Sequence, residues 1–543
     1  MANRFWIGDA GAGGDLWSNP NAWSALSGGV PVGAIPVAAD NVFFNAASVR
    51  NCTLDMDAIG ANTILTMDCN GYVRTFNHGA FRIRLTGLLF RLSAGMTYNI
   101  VGAAAGVQPA SVAGNTLITT NGKQLGNLNV GVLGAGGTYT IQDPLNLNGY
   151  LEVTNGVFDT NNRGVTMNGS LNIRPGALAG AFVAHADIIS IGQNINVDPL
   201  IDWLTEGTSS FVMTGGSINL PAGGVDLTFY DLSVAVFGNT NLNLNVGQLI
   251  IVTHIFIAGA GTVALGGAGG GVQVTSALVN GFQPDPACTL NVPIILIPRT
   301  GAGTTVLIPP CNIGGDLTLT RDGGTYGAVA FQLTGAVTVT GTLAAYGGGG
   351  AAFAPTLNLN AFNLAVTGPI NFGNGANGMG LVTIGAATLS CTGALTHLGN
   401  PLVDSRIFDI AGGQLLVGGN FTHTGAVNAI GQRINMTLNS LVRVGGSWNT
   451  TAALVFNPVP VGDTSAVQFT AAGAFAIACN VSEVWPVVRI SGGGTVALPT
   501  RSSAPTSSSP RAPSRPGRCS GFCGTSATRA TSPVAPTCTW APR

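Results

Sequence analysis

One short phrase, a glycine, any residue, then an apolar residue opening a strand-like run, recurs with a near-constant step through the second half of this chain. It reads Gly315-Asp316-Leu317, Gly341-Thr342-Leu343, Gly368-Pro369-Ile370, Gly393-Ala394-Leu395, Gly419-Asn420-Phe421, Gly446-Ser447-Trp448 and Gly473-Ala474-Phe475. Successive glycines are 26, 27, 25, 26, 27 and 27 residues apart. A period that steady is the mark of stacked repeats. It confines the chain to folds in which one coil lies on the next.

The same phrase begins earlier at a looser spacing, at Gly126-Asn127-Leu128, Gly149-Tyr150-Leu151, Gly169-Ser170-Leu171 and Gly216-Ser217-Ile218, with a row at Gly192 between the last two. The register is lost between Gly216 and Gly261 and resumes in rows at Gly261, Cys288 and Gly315. Leu-Asn-Leu-Asn recurs at 145–148, 242–245 and 357–360, an alternation that points leucine inward and asparagine outward. A coil of 20–27 residues holds two or three short strands, with glycine and asparagine at the turns because both tolerate positive φ. One coil cannot bury its own leucines, valines and isoleucines, but a pile of coils buries them continuously. About 16 such steps at ~4.8 Å per layer predict a shaft roughly 75–80 Å long.

The composition fits that reading. Charged residues are only 8% of the chain, and no Asp, Glu, Lys or Arg lies between Asp231 and Asp285 or between Asp322 and Asp404. Mean hydropathy is +0.39, yet the most apolar stretch, 249–270, is broken by His254, several glycines and alternating threonines. It is not the ~20-residue apolar run of a spanning helix. The charged, polar loops expected of an outer-membrane barrel are missing too. Residues 1–500 carry 15 bases against 22 acids and a single lysine, Lys123, which argues against a nucleic-acid partner. No basic segment followed by an apolar core opens the chain, so no secretion signal is expected. Nine cysteines without metal-binding spacing fit a reducing cytoplasm. Cys52 and Cys69 are either a disulfide pair or stacked free thiols.

Residues 1–50 differ from the rest. They concentrate Phe5, Trp6, Trp17, Trp23, Phe43 and Phe44 among turn residues. The pattern Arg4-Phe5-Trp6-Ile7-Gly8, Trp17, Asn21-Ala22-Trp23-Ser24, Ser27-Gly28-Gly29, Val30-Pro31 and Asp40-Asn41-Val42-Phe43-Phe44 resembles the opening of bacteriophage virion proteins, with related openings in repetitive bacterial surface proteins. The match covers about 45 residues and departs at Asp9-Ala10-Gly11, where the family has a second glycine directly after the first. The resemblance implies an aromatic module followed by Gly/Asn/Thr-rich β-solenoid repeats, in tail fibres, tailspikes or similar appendages. Trp6, Trp17, Trp23, Phe43 and Phe44 are the expected cap over the open end of the first coil.

Few residues offer chemistry. Asp198, Asp202 and Glu206 are spaced i, i+4, i+8 in a segment that begins Asp198-Pro199 and ends at Gly207, signals that predict a short helix with three carboxylates on one side. Trp203 beside them is the candidate glycan platform, since paired acids 5–9 Å apart serve glycoside hydrolysis. The other reading is an N-cap and a solvated acidic face. Asp55 and Asp57 form a D-x-D without the six or more oxygens that Ca²⁺ takes. The glycine runs 266–271 and 347–350 lack the Lys-Ser/Thr of a phosphate loop. Arg82 and Arg84 alternate with Phe81, Ile83 and Leu85 and belong to a solvated outer face. The five histidines, His78, His185, His254, His397 and His423, read as corner or surface residues.

The expectation is therefore an all-β, right-handed parallel β-helix: an aromatic module over 1–50, irregular first coils over 51–125, a shaft over 126–499, and a Ser/Pro/Arg-rich tail over 500–543 too polar to order itself. The tail also resembles an out-of-frame translation. The expected function is that of a structural virion protein, a tail fibre, spike or similar appendage in host attachment, assembled in the host cytoplasm. Its expected partners are its own copies in a homotrimer, other virion proteins and a host surface glycan. No cofactor, metal, nucleic acid or membrane insertion is expected. The alternatives are a polysaccharide-degrading tailspike, a bacterial surface adhesin and a capsid-decorating fibre. Recognition is expected within 1–125 or around 198–231, since the uniform repeats leave no loop long enough to build a pocket.

Overall fold

The computed structural model describes residues 2–11, 14–101, 105–134, 136–174, 176, 181–198, 202–205, 207–266, 270–299, 304–321, 329–347, 355–373, 378–399, 406–425, 432–450, 454–456, 462–478, 486–492 and 495–497. It is 50% strand and 1% helix, and its parallel coils stack into a β-solenoid of about 16 turns. The chain divides into two compact units, Met1–Gly271 and Val272–Arg543. The segment 500–543 lies outside the described residues.

In the first unit the coils from Asn115 to Asn219 each supply three short strands. One coil contributes Thr138–Ile141, Leu145–Leu147 and Leu151–Val153, and the next Val157–Asp159, Val165–Met167 and Leu171–Ile173. Equivalent strands pair in parallel, Tyr139 with Phe158, Leu145 with Val165 and Leu151 with Leu171. Because side chains alternate across a strand, this register drives one residue type into one column. Leu128, Leu151, Leu171, Ile195, Ile218 and Leu242 stand in line, all at most 1% exposed. The residue after each faces outward, and there Asn172, Asn196, Asn219 and Asn243 form a ladder. Asn196 donates to Asn172 at 2.7 Å, Asn219 to Asn196 at 2.6 Å, and Asn243 to Asn219. The outer face of the coils is thus tied from layer to layer by amide hydrogen bonds.

The row expected at Gly192 sits one residue later. Ile195 pairs with Leu171, and Gln193, not Gly192, donates its backbone N–H to Gly169. The register lost after Gly216 has a structural cause. Gly216 pairs with Thr240 and Ile218 with Leu242, so the row continues with threonine where the phrase has glycine, and Leu242 in turn pairs with Leu265, two residues beyond the Val263 of the expected Gly261 row. On another face Leu227–Val234 and Leu249–Ala258 are long strands with a bulge between Phe229 and Asp231.

At the N-terminus, Asn3–Trp6 pairs in parallel with Asn41–Phe43 and antiparallel with Trp23–Ser24. Trp6 and Trp17 both meet Trp23 edge-on, at 5.0 and 4.8 Å, and Phe44 packs on Trp6, Trp17 and Phe76. Trp6, Trp17, Trp23 and Phe44 are fully buried, whereas Phe43 is half-buried and stacks on Phe5 at 4.8 Å. The Trp23 indole donates to the Trp17 carbonyl at 2.9 Å, and Arg4 closes a 3.0 Å ion pair on buried Asp40. Strands follow without a gap from Asn41–Phe43 through Thr66–Asp68 to Leu89–Arg91.

In the second unit the seven phrases open seven strands of one face, from Leu317–Thr320 to Phe475–Ala478. Six are in register: Leu317, Leu343, Ile370, Leu395, Phe421 and Trp448 pair in succession. The seventh slips by two, because Trp448 pairs with Ile477 rather than Phe475. The row at Cys288 is likewise corrected. Thr289 pairs with Asn312, so Cys288 leads to Cys311, while Gly315 belongs to the strand paired with Ile294–Leu296.

The phrase glycines do not serve the purpose the sequence suggested. None of Gly315, Gly341, Gly368, Gly393, Gly419 and Gly446 has a positive φ. They stack on one another instead. A Cβ on Gly341 would lie 2.7 Å from the Gly315 carbonyl carbon, one on Gly368 2.4 Å from the Gly341 oxygen, and one on Gly419 2.9 Å from the Ala394 nitrogen. Glycine is required because two backbones pass too closely for any side chain.

Candidate functional site

The described residues of 198–207 do not form the expected helix. Leu204–Thr205 is a strand, parallel to Phe182–Val183, and Pro199–Ile201 and Glu206 lie outside the described residues. The local pattern explains why. Trp203 and Leu204 are apolar neighbours of a buried aromatic row, and their burial outweighs the capping signals. Trp203 is 1% exposed, edge-on to Phe182 at 6.1 Å, and its carbonyl accepts the Phe182 N–H. It is core, not an open platform for a glycan.

The acids separate accordingly. Asp198 ends the strand Ile195–Val197 and receives the Arg174 guanidinium at 3.2 Å, while Arg174 also holds Glu152 at 2.7 Å. Glu152 in turn accepts from Asn129 at 2.6 Å. Asp202 instead lines a cleft between successive coils, with Val197, Trp203, Leu220, Pro221, Gly224, Val225, Asp226 and Leu227. The space this cleft encloses is about 10 Å³, room for about one water molecule. Asp202 and Asp226 are both exposed, and each accepts one backbone N–H, from Leu204 at 3.3 Å and from Leu249 at 2.7 Å. The Trp203 Nε1–H is buried without an acceptor. Asp226 was not singled out from the sequence; its signal is the turn Pro221-Ala222-Gly223-Gly224 just before it.

The other candidates have structural duties. Asp55 accepts from the Ser18 N–H and hydroxyl at 2.9 and 2.5 Å, and Asp57 binds Arg82 through its backbone N–H at 2.8 Å and its guanidinium at 2.5 Å. Arg84 donates to Gln108. Among the described residues no group of three or more His, Cys, Asp or Glu is placed to hold a metal ion, and no helix is long and apolar enough to cross a membrane. Cys52 and Cys69 are buried free thiols, both pushed well up by burial.

The histidines correct the sequence reading most. His185 and His254 are surface residues, bound to Asp159 at 2.8 Å and Asp231 at 2.7 Å. His78, His397 and His423 are completely buried. His78 contacts the Tyr98 hydroxyl, and burial lowers its pKa to about 4. His397 and His423 pair in register on adjacent coils, with their Nδ1 atoms 3.2 Å apart and neither Nε2 partnered. Burial drives His397 well below the ordinary value, helped by His423, and lowers His423 to about 4. Phe372 and Phe408 pack around His397. No protein-family model matches the chain, and neither a curated protein nor a solved structure is significantly similar to it.

Proposed function

We propose that this chain is a structural protein of a bacteriophage particle, a tail fibre, spike or similar appendage that contributes to host attachment. The observation that carries the proposal is the aromatic opening at residues 4–44, which resembles virion proteins and stands directly before stacked coils, the order found in that family. The solenoid is compatible with such a role, because a stack of coils tied by strand pairing and an amide ladder makes a stiff spacer. Fibres of this kind work as homotrimers beside other virion proteins, and both associations belong to the proposal.

Immunogold electron microscopy tests it, with antibody raised against the recombinant chain and applied to phage particles and host cells from the source material. Label on particle appendages is the expected result. Label confined to the bacterial surface would overturn the proposal in favour of an adhesin, and label on the head would assign a capsid-decorating fibre.

A further inference from the structure

We infer that Cys288 and Cys311 are a redox-responsive pair: free thiols in a reducing medium, they close into a disulfide between two neighbouring coils when the chain meets a small disulfide such as oxidised glutathione. The inference is independent of the role proposed above, because it follows from the strand register of the second unit.

Thr289 pairs with Asn312 and Leu290 with Ile313, so Cys288, one residue earlier, stands opposite Cys311 in the next coil. Both are free thiols, 0% and 3% exposed, on the inward side of their coils. Adjacent strands lie about 4.8 Å apart, and the Cα atoms of a disulfide are ~4.4–6.8 Å apart. Closing the pair therefore asks for side-chain rotation and leaves the fold in place. The other described cysteines are not placed in this way. Cys52 pairs with Phe76, Cys69 lies between Phe44 and Leu92, and Cys391 stands between Val366 and Val417. In the coils after Cys311 the same position holds Val337, Leu364, Leu389 and Leu415. An aliphatic column thus begins with two cysteines in succession.

Access is the second observation. Cys288 ends a turn in which its N–H donates to the Asp285 carbonyl at 2.8 Å, and Asp285, Pro286 and Ala287 are exposed. Opening that turn brings the Cys288 sulfur to solvent while Thr289–Asn291 stays paired. Burial raises Cys288 to about 11 and Cys311 to about 12, so Cys288 ionises more readily and is the first to react. Its thiolate attacks one sulfur of oxidised glutathione and expels a glutathione thiolate. The Cys311 thiolate then attacks the Cys288 sulfur and expels the second. Two protein thiols are oxidised to one disulfide, one glutathione disulfide is reduced to two thiols, and the two cysteine protons end on the glutathiones. The link encloses residues 289–310 and restrains the unfolded chain.

The test uses the full-length chain, reduced and then exposed to oxidised glutathione in two arms, one folded and one during refolding from urea. Remaining thiols are blocked with N-ethylmaleimide. Arg299 lies between the two cysteines, so trypsin puts them on separate peptides, and mass spectrometry reads whether these are joined. A Cys288–Cys311 link that dithiothreitol reverses is expected in both arms. Cys311→Ala is expected to leave Cys288 carrying glutathione instead. The linked chain is expected to melt about 5 °C or more above the reduced one, and Cys311→Ala to show no such difference. The inference is overturned if the two peptides are joined in neither arm, or if the linked chain melts no higher than the reduced chain.

Discussion

The His397–His423 pair predicts an acid-sensitive segment in the second unit, and its magnitude follows from the pKa values. In the folded chain His423 takes up a proton only near pH 4, because burial disfavours the charged imidazolium, whereas unfolded it protonates near 6.5. The unfolded state thus binds the extra proton, and stability falls as pH drops from 6.5 towards 4. At 1.36 kcal/mol per pH unit the full loss from His423 is roughly 3 kcal/mol, of which about 2 kcal/mol has gone by pH 5. His397 is lowered further and adds loss of the same sign. The perturbation is the double variant His397→Leu/His423→Leu, which removes both titrating groups and both orphaned nitrogens. Replacing both partners of a buried polar pair by apolar groups of similar shape is close to neutral or stabilising. The variant is therefore expected to match or exceed the parent at pH 7 in urea unfolding. At pH 5 it should exceed the parent by a further ~2 kcal/mol or more. Comparing the two chains at each pH cancels every other group, including buried His78. Parallel pH profiles for parent and variant would refute the reasoning.

Further outcomes follow from packing. Gly368→Ala and Gly473→Ala alter the same phrase with opposite consequences. A Cβ at Gly368 meets the Gly341 carbonyl oxygen at 2.4 Å and is expected to cost about 1–3 kcal/mol, while Gly473 has nothing within 4 Å and gains about 0.4–1 kcal/mol from a less flexible unfolded chain. Chemical denaturation of the two variants checks the contrast. Trp23→Ala removes the indole against which Trp6 and Trp17 pack and is expected to cost about 3–5 kcal/mol. It also loosens the antiparallel strand that covers Asn3–Trp6, so light scattering should register association through the freed edge. Asn219→Ala cuts the amide ladder on both sides and is expected to cost about 1–2 kcal/mol in the same unfolding assay.

The coil architecture was legible because a solenoid writes its period into the sequence. A strand that must face inward once per layer repeats an apolar residue at the layer spacing, whatever lies between. Legibility ended where that link was broken. The coil after Gly216 keeps the register, Leu242 opposite Ile218, but has Thr240 opposite the glycine, so the phrase no longer marks it. Phe475 keeps the 27-residue step but not the register, since an unchanged spacing does not reveal that Ile477 has taken its place opposite Trp448. Around Trp203 the capping signals were local, and burial against Phe182 decided the outcome. The cleft was foreshadowed only as a region, because Asp202 and Asp226 come together through stacking, not through sequence proximity.

The buried histidines and the phrase glycines were readable, and residue type misled in both cases. His397 and His423 each lie two residues after the inward apolar residue of their phrase, Leu395 and Phe421, so the period of two already assigns them to the core. Parity outranks polarity here: a strand cannot turn one side chain outward without moving its neighbours to the other face. The phrase glycines obey a similar precedence. A glycine that recurs once per coil at one register position meets its own equivalent in the next layer. The repeat alone therefore implies glycine over glycine, and close backbone approach explains the residue where positive φ does not. In a stacked fold, what a residue faces in the next layer is the stronger constraint, and it is read by adding one period to the residue's number.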